Sequence, residues 1–280
     1  MAPKAKAKAK AKQKITKKKP EKKARSKTVE IVSTVGETIQ QASAIKKKIT
    51  SISDLLKYLK EDIPKDNRPY WFRGHSNIAY KLVPGFYRKA PKHLESHIIE
   101  RFKQNASLLE RGTVSDTDWL FIMQHYGVPT RLLDWSESAL VALYFACKGE
   151  EGNNGELFVL SPIALNKAAN IHGEHIISIN DDQSQSYRPD EFKFETMSEM
   201  PPIAIICPRN TSRIQAQLGT FTIFHRNQKP IDTMKKEIVW SYIVAKEAKK
   251  EILKELNLLG LTHFSVFPEL ASIGEMLREI

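Results

Sequence analysis

A chain of 280 residues with 41% hydrophobic and 9% aromatic side chains can bury a sizeable core, which excludes a wholly disordered protein. No apolar run approaches the roughly 20 residues that span a bilayer, and the N-terminus lacks the apolar middle of a secretory signal, so we expect a cytoplasmic or nucleoid-associated protein without a membrane partner. Cys147 and Cys207 have no second Cys or His at metal-ligand spacing, so we expect free thiols and no metal.

The formal net charge of +12 lies in the first residues of the chain. Residues 1–27 carry 12 Lys and one Arg against one Glu, which leaves 31 basic and 31 acidic residues in the rest of the chain. A stretch this basic buries too little apolar surface to offset the entropy cost of ordering it. We therefore predict a disordered tail over residues 1–28 and a linker over residues 29–50. The cations favour a nucleic-acid partner for residues 1–27, bound by counterion release; the alternative is a tail that only solubilises the protein.

Helices and strands follow each other irregularly through the predicted domain, residues 51–280. Ser53 is a candidate cap for the first helix, and residues 70–72 read as a strand that ends at Arg73-Gly74. The next predicted elements are helices over 93–111, 116–127 and 138–148, a loop over 130–136, and a strand over 156–160.

The second half of the domain is richer in strands. Residues 180–200 are polar and weakly patterned, which predicts a long surface loop. The other predicted elements are strands over 203–206, 219–224 and 239–244 and a helix over 248–259. Because strands and helices do not alternate regularly, the order predicts an α+β fold with a mixed or antiparallel sheet core and flanking helices.

A first polar motif runs from Trp71 to Ser76. A strand end that presents Arg73 beside Gly74 and His75 suits a phosphate or carboxylate, because the guanidinium donates in a fork and glycine lets a ligand approach the backbone. An arginine paired with an internal carboxylate explains these residues equally well.

A second motif, residues 123–136, places ionisable and aromatic side chains between two apolar helices, where ordinary connections use Gly, Ser and Asn. His125, Thr130, Arg131 and Asp134 could converge on a ligand. Alternatively, Arg131 and Asp134 form a local salt bridge, and His125 is a residue of the helix C-terminus.

A third motif covers residues 213–221. In an extended segment Gln215 and Gln217 project to the same face, so two amides could contact one ligand. Solvent-facing glutamines on a sheet edge are the alternative.

Together these motifs resemble the FRG domain family, which is named for a Phe-Arg-Gly run that stands here at residues 72–74. The block from Trp119 to Trp135 is similar to the family's Met-Gln-His-Tyr-Gly-x-Pro-Thr-Arg-Leu-Leu-Asp-Trp signature, and Phe-Pro-Glu-Leu follows at residues 267–270. The resemblance spans about Ile52 to Ile280 and identifies residues 51–280 as a member of this family.

The layout of the motifs is also similar to that of ADP-ribosyltransferases of the Arg-Ser-Glu class. This second resemblance implies an ADP-ribosyltransferase-like sheet and NAD as the cofactor, with the pyrophosphate on Arg73. Gln217 stands where those transferases carry a Glu, so the hydrogen bond is kept and the charge that stabilises an oxocarbenium-like transition state is lost. The NAD-binding residues implied by the resemblance are Arg73, Gly74, His75, Thr130 and Gln215.

Three functions fit these motifs. One is an ADP-ribosyltransferase-like enzyme or nucleotide-binding effector that acts on a macromolecule, for example in phage defence. The alternatives are a non-catalytic nucleotide- or ligand-binding module tethered to nucleic acid, and a hydrolase using His125 and Asp134. We expect the catalytic residues to line one cleft, because buried guanidinium, imidazole and carboxylate groups each need a partner. These candidates are Arg73, His125, Thr130, Arg131, Asp134 and Gln217.

Overall fold

The computed structural model describes residues 46–88, 94–109, 114–192 and 199–278, which belong to one compact unit. The predicted tail and residues 29–45 of the predicted linker lie outside the described residues. Residues 46–50, also in that linker, lead into the sheet, because strand β1 (Lys48–Ile49) pairs with residues 243–244.

An eight-stranded sheet forms the centre of the described residues. After β1, its strands are β2 (Trp71–His75), β3 (Leu132–Ser136), β4 (Gly155–Leu160), β5 (Ile177–Ser178), β6 (Ile203–Ile206), β7 (Gly219–Ile223) and β8 (Val239–Val244). Their order across the sheet is β1-β8-β4-β2-β3-β7-β6-β5. The outermost pairs at both edges are parallel and the inner pairs antiparallel, which confirms the predicted α+β class with a mixed sheet.

Helices cover this sheet. They are α1 (Ile52–Asp62), α2 (Gly85–Arg88), α3 (Glu95–Ala106), α4 (Asp116–His125), α5 (Ala139–Cys147), α6 (Pro162–Ala168), α7 (Pro189–Phe192), α8 (Ser212–Ala216), α9 (Lys249–Leu258), α10 (His263–Val266) and α11 (Leu270–Arg278). Helix α5 packs on β2, and α9 packs on α5. Within the described ranges, no helix is both long enough and apolar enough to cross a bilayer.

Serine side chains begin three of these helices. Ser51, not the predicted Ser53, caps α1 and accepts a hydrogen bond from the Asp54 amide. Ser115, one residue before the predicted Asp116, caps α4 with a capping box, and Ser138, where the predicted helix began, caps α5. Each hydroxyl satisfies an amide that has no partner in the first turn of its helix.

The segment predicted as a loop over 130–136 is largely strand β3, so that prediction was wrong. β3 pairs with β7 along its whole length, from Leu132 opposite Ile223 to Ser136 opposite Gly219. Helices bury it, apart from the exposed Asp134. The strand β2 likewise runs through Arg73-Gly74 to His75, instead of ending there.

Two further predictions were wrong. Residues 212–216 form helix α8, capped by Thr211, and the left-handed Leu218, with φ +46°, joins it to β7; Gln215 and Gln217 are therefore not in an extended segment. Within 180–200, the structure has a 3-10 helix over Asp182–Tyr187 and then α7, where Tyr187 and Phe192 are buried. Residues 193–198 lie outside the described residues.

Side chains of the central strands alternate between the two faces of the sheet. Trp71 and Leu133 belong to one core cluster, whereas their neighbours Phe72 and Leu132 belong to clusters under α5 and α4 on the other face. Cys147 and Cys207 are free thiols, as predicted.

Candidate functional site

A cleft of about 190 Å³ opens where β2 and β3 separate. These two neighbouring strands pair only at Phe72 and Ser136 within the described residues, so their backbones diverge beyond that point. Helices α4, α5 and α8 and strand β7 complete the walls. The polar side chains in the lining are those of Arg73, Gln124, His125, Asp134, Ser136, Arg213 and Gln217.

The structure brings together only part of the residue set predicted from the sequence. Arg73, Gly74, His125, Asp134 and Gln217 line the cleft. The other four described candidates, Thr130, Arg131, His75 and Gln215, are outside its lining.

Arg73 fills the gap between the separating strands. Its Nη1 donates to the backbone oxygen of Asp134 and lies 3.7 Å from Asp134 Oδ2. The guanidinium therefore takes the place of a ladder hydrogen bond that β2 no longer supplies to β3. Burial lowers the pKa of Arg73, and the charge of Asp134 opposes that shift. The guanidinium stays charged in proteins.

His75 supports Arg73 from outside the cleft. Its Nε2 accepts a hydrogen bond of 2.9 Å from Arg73 Nε, and its Nδ1 lies 3.3 Å from the Tyr80 carbonyl oxygen. Burial and the charge of Arg73 lower the pKa of His75 to about 3. A neutral ring with its proton on Nδ1 satisfies both contacts, so the surroundings select one tautomer.

Gly74 makes room for a helix. A Cβ atom there would lie 1.9 Å from the Ala142 oxygen and 2.5 Å from the Ala146 nitrogen, both backbone atoms of α5. The sequence suggested that Gly74 lets a ligand approach the backbone. In the structure α5 makes that approach, and it carries Phe145 into the cleft wall.

Gln124 connects the second motif to the first. It accepts a hydrogen bond of 2.7 Å from the Thr130 hydroxyl and donates one of 2.8 Å from Nε2 to Asp134 Oδ2. The two partners fix the orientation of the amide. A continuous network thus runs from Thr130 through Gln124, Asp134 and Arg73 to His75. Sequence reasoning missed Gln124, although it directly precedes the candidate His125.

Arg131 is buried away from the cleft. Its side chain is fully shielded from solvent and pairs with Glu95 at 2.5 Å, while its two Nη atoms donate to the carbonyls of Phe224 and Tyr187. Its guanidinium also lies 3.7 Å from the ring centre of Phe192. These contacts tie α3, α7 and β3 together and replace the local salt bridge to Asp134 that the sequence allowed.

His125 contributes a buried nitrogen without a partner. Its Nδ1 has no hydrogen bond within the described part of the chain, and its ring contacts Tyr126 edge-on at 4.8 Å. An unsatisfied buried polar atom is costly, so a ligand or water that pairs with it would be stabilising. Among the residues described, no group of three His, Cys, Asp or Glu side chains could hold a metal ion.

The far wall of the cleft comes from the C-terminal part of the chain. The Arg213 guanidinium stacks 4.8 Å from the ring centre of Phe267 and meets no carboxylate or hydrogen-bond acceptor among the described residues. Gln217 Nε2 donates to the Val266 carbonyl at 3.2 Å. Sequence reasoning missed Arg213, although it begins the third motif.

Residues 68–155 match the family model of the FRG domain. The chain carries an FRG domain. The matched residues contain every member of the polar network between Thr130 and His75, and so one side of the cleft. Arg213 and Gln217, on the opposite side, lie beyond the match. No curated protein and no solved structure matches the chain, so the FRG match is the family evidence.

Proposed function

We propose that this FRG domain binds a nucleotide in the cleft, with NAD as the leading candidate. The observation that carries the proposal is Arg213, a cation in the cleft lining that has no counter-ion among the described residues. An arginine packed over an aromatic ring keeps its N–H donors available for a phosphate. A phosphate placed there gains charged hydrogen bonds without breaking an existing ion pair.

Arg73 suits a phosphate less well than Arg213 does. Its Nη1 already contacts Asp134, whose side chain is half-exposed and would repel an anion. This assignment differs from the one that the transferase resemblance implies, in which Arg73 binds the pyrophosphate. We therefore place the anionic end of the ligand at Arg213.

The walls and the size of the cleft suit a single aromatic ring. Phe121, Phe145 and Phe221 contribute apolar surface to the lining. The volume of about 190 Å³ is below the roughly 300–1,000 Å³ of pockets that enclose drug-sized ligands. The cleft would enclose the aromatic ring of one half of NAD, with a phosphate at Arg213, and leave the rest of the molecule outside.

Gln217 favours binding without turnover. Transfer of ADP-ribose needs negative charge near the ribose, and Gln217 is neutral and already donates to the Val266 carbonyl. We therefore propose a ligand-responsive module rather than a transferase. Such a module would suit an effector of phage defence.

Calorimetry of the full chain at physiological salt tests nucleotide binding. Arg213→Gln should weaken binding of NAD, ADP-ribose or AMP about tenfold or more, since a hydrogen bond to a charged group contributes roughly 1.5–3 kcal/mol. The matched control is Arg209→Gln, which removes an equal charge from an arginine that pairs with Glu137 and lies outside the cleft lining. Equal losses in both variants, or no binding by the unmodified chain, would refute the proposal.

Residues 1–27 support a second role, attachment to nucleic acid. The whole net charge of +12 lies there, and the rest of the chain is balanced. A run of closely spaced cations binds phosphates without sequence preference. We propose that these residues bind DNA or RNA and keep the FRG domain near it.

A further inference from the structure

The polar network fixes two groups in the cleft and leaves one atom of each unpaired. Arg73 is held at Nε by His75 and at Nη1 by Asp134, while Nη2 has no hydrogen bond to the described residues. Asp134 is held at Oδ2 by Gln124, and its Oδ1 likewise accepts none from them. The cleft thus contains a donor and an acceptor with free capacity.

These two groups are close and constrained. Arg73 Nη1 and Asp134 Oδ2 are 3.7 Å apart, so the guanidinium and the carboxylate are neighbours. Contacts at two nitrogens keep the guanidinium from turning, and Gln124, itself held by Thr130, restricts the carboxylate. A constrained donor beside a constrained acceptor matches a ligand group that offers an acceptor beside a donor.

We propose that Arg73 and Asp134 recognise a neutral edge of the ligand's ring, in which one hydrogen-bond acceptor stands beside one donor. A carboxamide has this arrangement, and so does an edge of adenine. The inference rests on the proposed nucleotide binding and names the part of the ligand that enters the cleft. A carboxylate in the same place would meet Asp134 with like charge, which disfavours it.

Two matched ligand pairs separate these chemistries. Nicotinamide mononucleotide and nicotinic acid mononucleotide share a phosphate and differ by carboxamide against carboxylate. AMP and purine riboside monophosphate differ by the amino group of adenine. In calorimetry with the full chain, the member that carries the neutral donor-acceptor edge should bind about tenfold more tightly in one of the pairs. The pair that shows the preference identifies the ring.

Asp134→Asn tests the acceptor directly. Asn keeps the shape and can still accept the Gln124 hydrogen bond, but it removes the negative charge. The preference for carboxamide over carboxylate, or for adenine over purine, should fall about tenfold. Glu137→Gln is the control, because it removes an equal charge from a carboxylate that pairs with Arg209 outside the cleft lining; it should leave both preferences unchanged.

The outcomes distinguish this inference from the function on which it rests. If the unmodified chain binds none of the four mononucleotides, nucleotide binding and edge recognition are both wrong. If it binds both members of each pair equally, or Asp134→Asn leaves the preference as it was, edge recognition is wrong while nucleotide binding stands.

Discussion

His75 is a buried residue whose charge state affects folding. Its pKa is about 3 in the folded protein, against 6.5 for an ordinary histidine. The unfolded chain therefore binds the proton more readily between these values, and stability should fall as pH decreases from about 6.5 towards 3, by up to about 1.4 kcal/mol per pH unit. Urea unfolding of the unmodified chain and of His75→Gln, from pH 7 to pH 4, should show a shallower slope in the variant.

The pH prediction has a control on the surface of the domain. His97 is exposed on α3, so His97→Gln should leave the slope unchanged. Gln can still accept from Arg73 in His75→Gln, and the loss of ring contacts to Phe158 and Tyr80 would shift stability at every pH alike. A His75→Gln slope equal to that of the unmodified chain would mean that His75 is protonated in the fold.

Local sequence identified some polar residues of the site, among them Arg73 and Asp134, but could not assign their roles. The immediate neighbours of Arg73 and Arg131 are all uncharged, so neither arginine has a local ionic partner that would indicate its role. Arg131 is buried because Glu95, 36 positions earlier, pairs with it. Arg73 reaches the cleft because Asp134, 61 positions later, lies across the gap between two strands. Such partners depend on tertiary packing, which a window of neighbouring residues does not contain.

The absence of tertiary partners from a local window also explains which helices and strands the sequence predicted correctly. Helix α5 and strands β4, β6 and β8 are largely apolar, and the sequence predicted the bounds of all four to within one residue. Strand β3 follows Pro129 and contains a charged residue, so local turn signals outweighed its pairing with β7, more than 80 positions away.

Gly74 determines how closely helix α5 approaches strand β2. Gly74→Ala would place a Cβ 1.9 Å from a backbone oxygen of α5, so the helix must move. We expect the free energy of unfolding to fall by about 1–3 kcal/mol, the usual cost of overpacking, as measured by urea denaturation. Because α5 carries Phe145, the displacement should also weaken nucleotide binding.

Gly85→Ala provides the comparison for that substitution. Its Cβ would lie 3.7 Å from the nearest atoms, both of Pro129, which is ordinary contact. This change should alter stability by no more than about 0.5 kcal/mol. Equal effects of the two substitutions would show that α5 can move away from β2 at little cost.

At the scale of the whole molecule, the cleft joins two regions of the chain. Residues 68–155 supply the network from Thr130 to His75, and the C-terminal region supplies Arg213, which lies over the ring of Phe267. The first side offers neutral hydrogen-bonding capacity, because Arg73 and Asp134 offset each other, and the second offers an uncompensated positive charge. This division suits a ligand with a neutral ring at one end and an anion at the other.

The charge of the whole molecule leads to a prediction about nucleic acid. Residues 1–27 hold 13 of the 44 basic residues and all of the net charge, so a chain beginning at Ile45 should lose most of its affinity for duplex DNA. For the full chain, each phosphate neutralised should lower the logarithm of affinity by about 0.9 per tenfold rise in salt. Fluorescence anisotropy with labelled DNA at several salt concentrations measures both quantities. A full-length variant with the Lys residues of 1–27 replaced by Gln controls for chain length and should bind as weakly as the shortened chain. Tight, salt-resistant binding by the shortened chain would instead place the nucleic-acid site in the FRG domain.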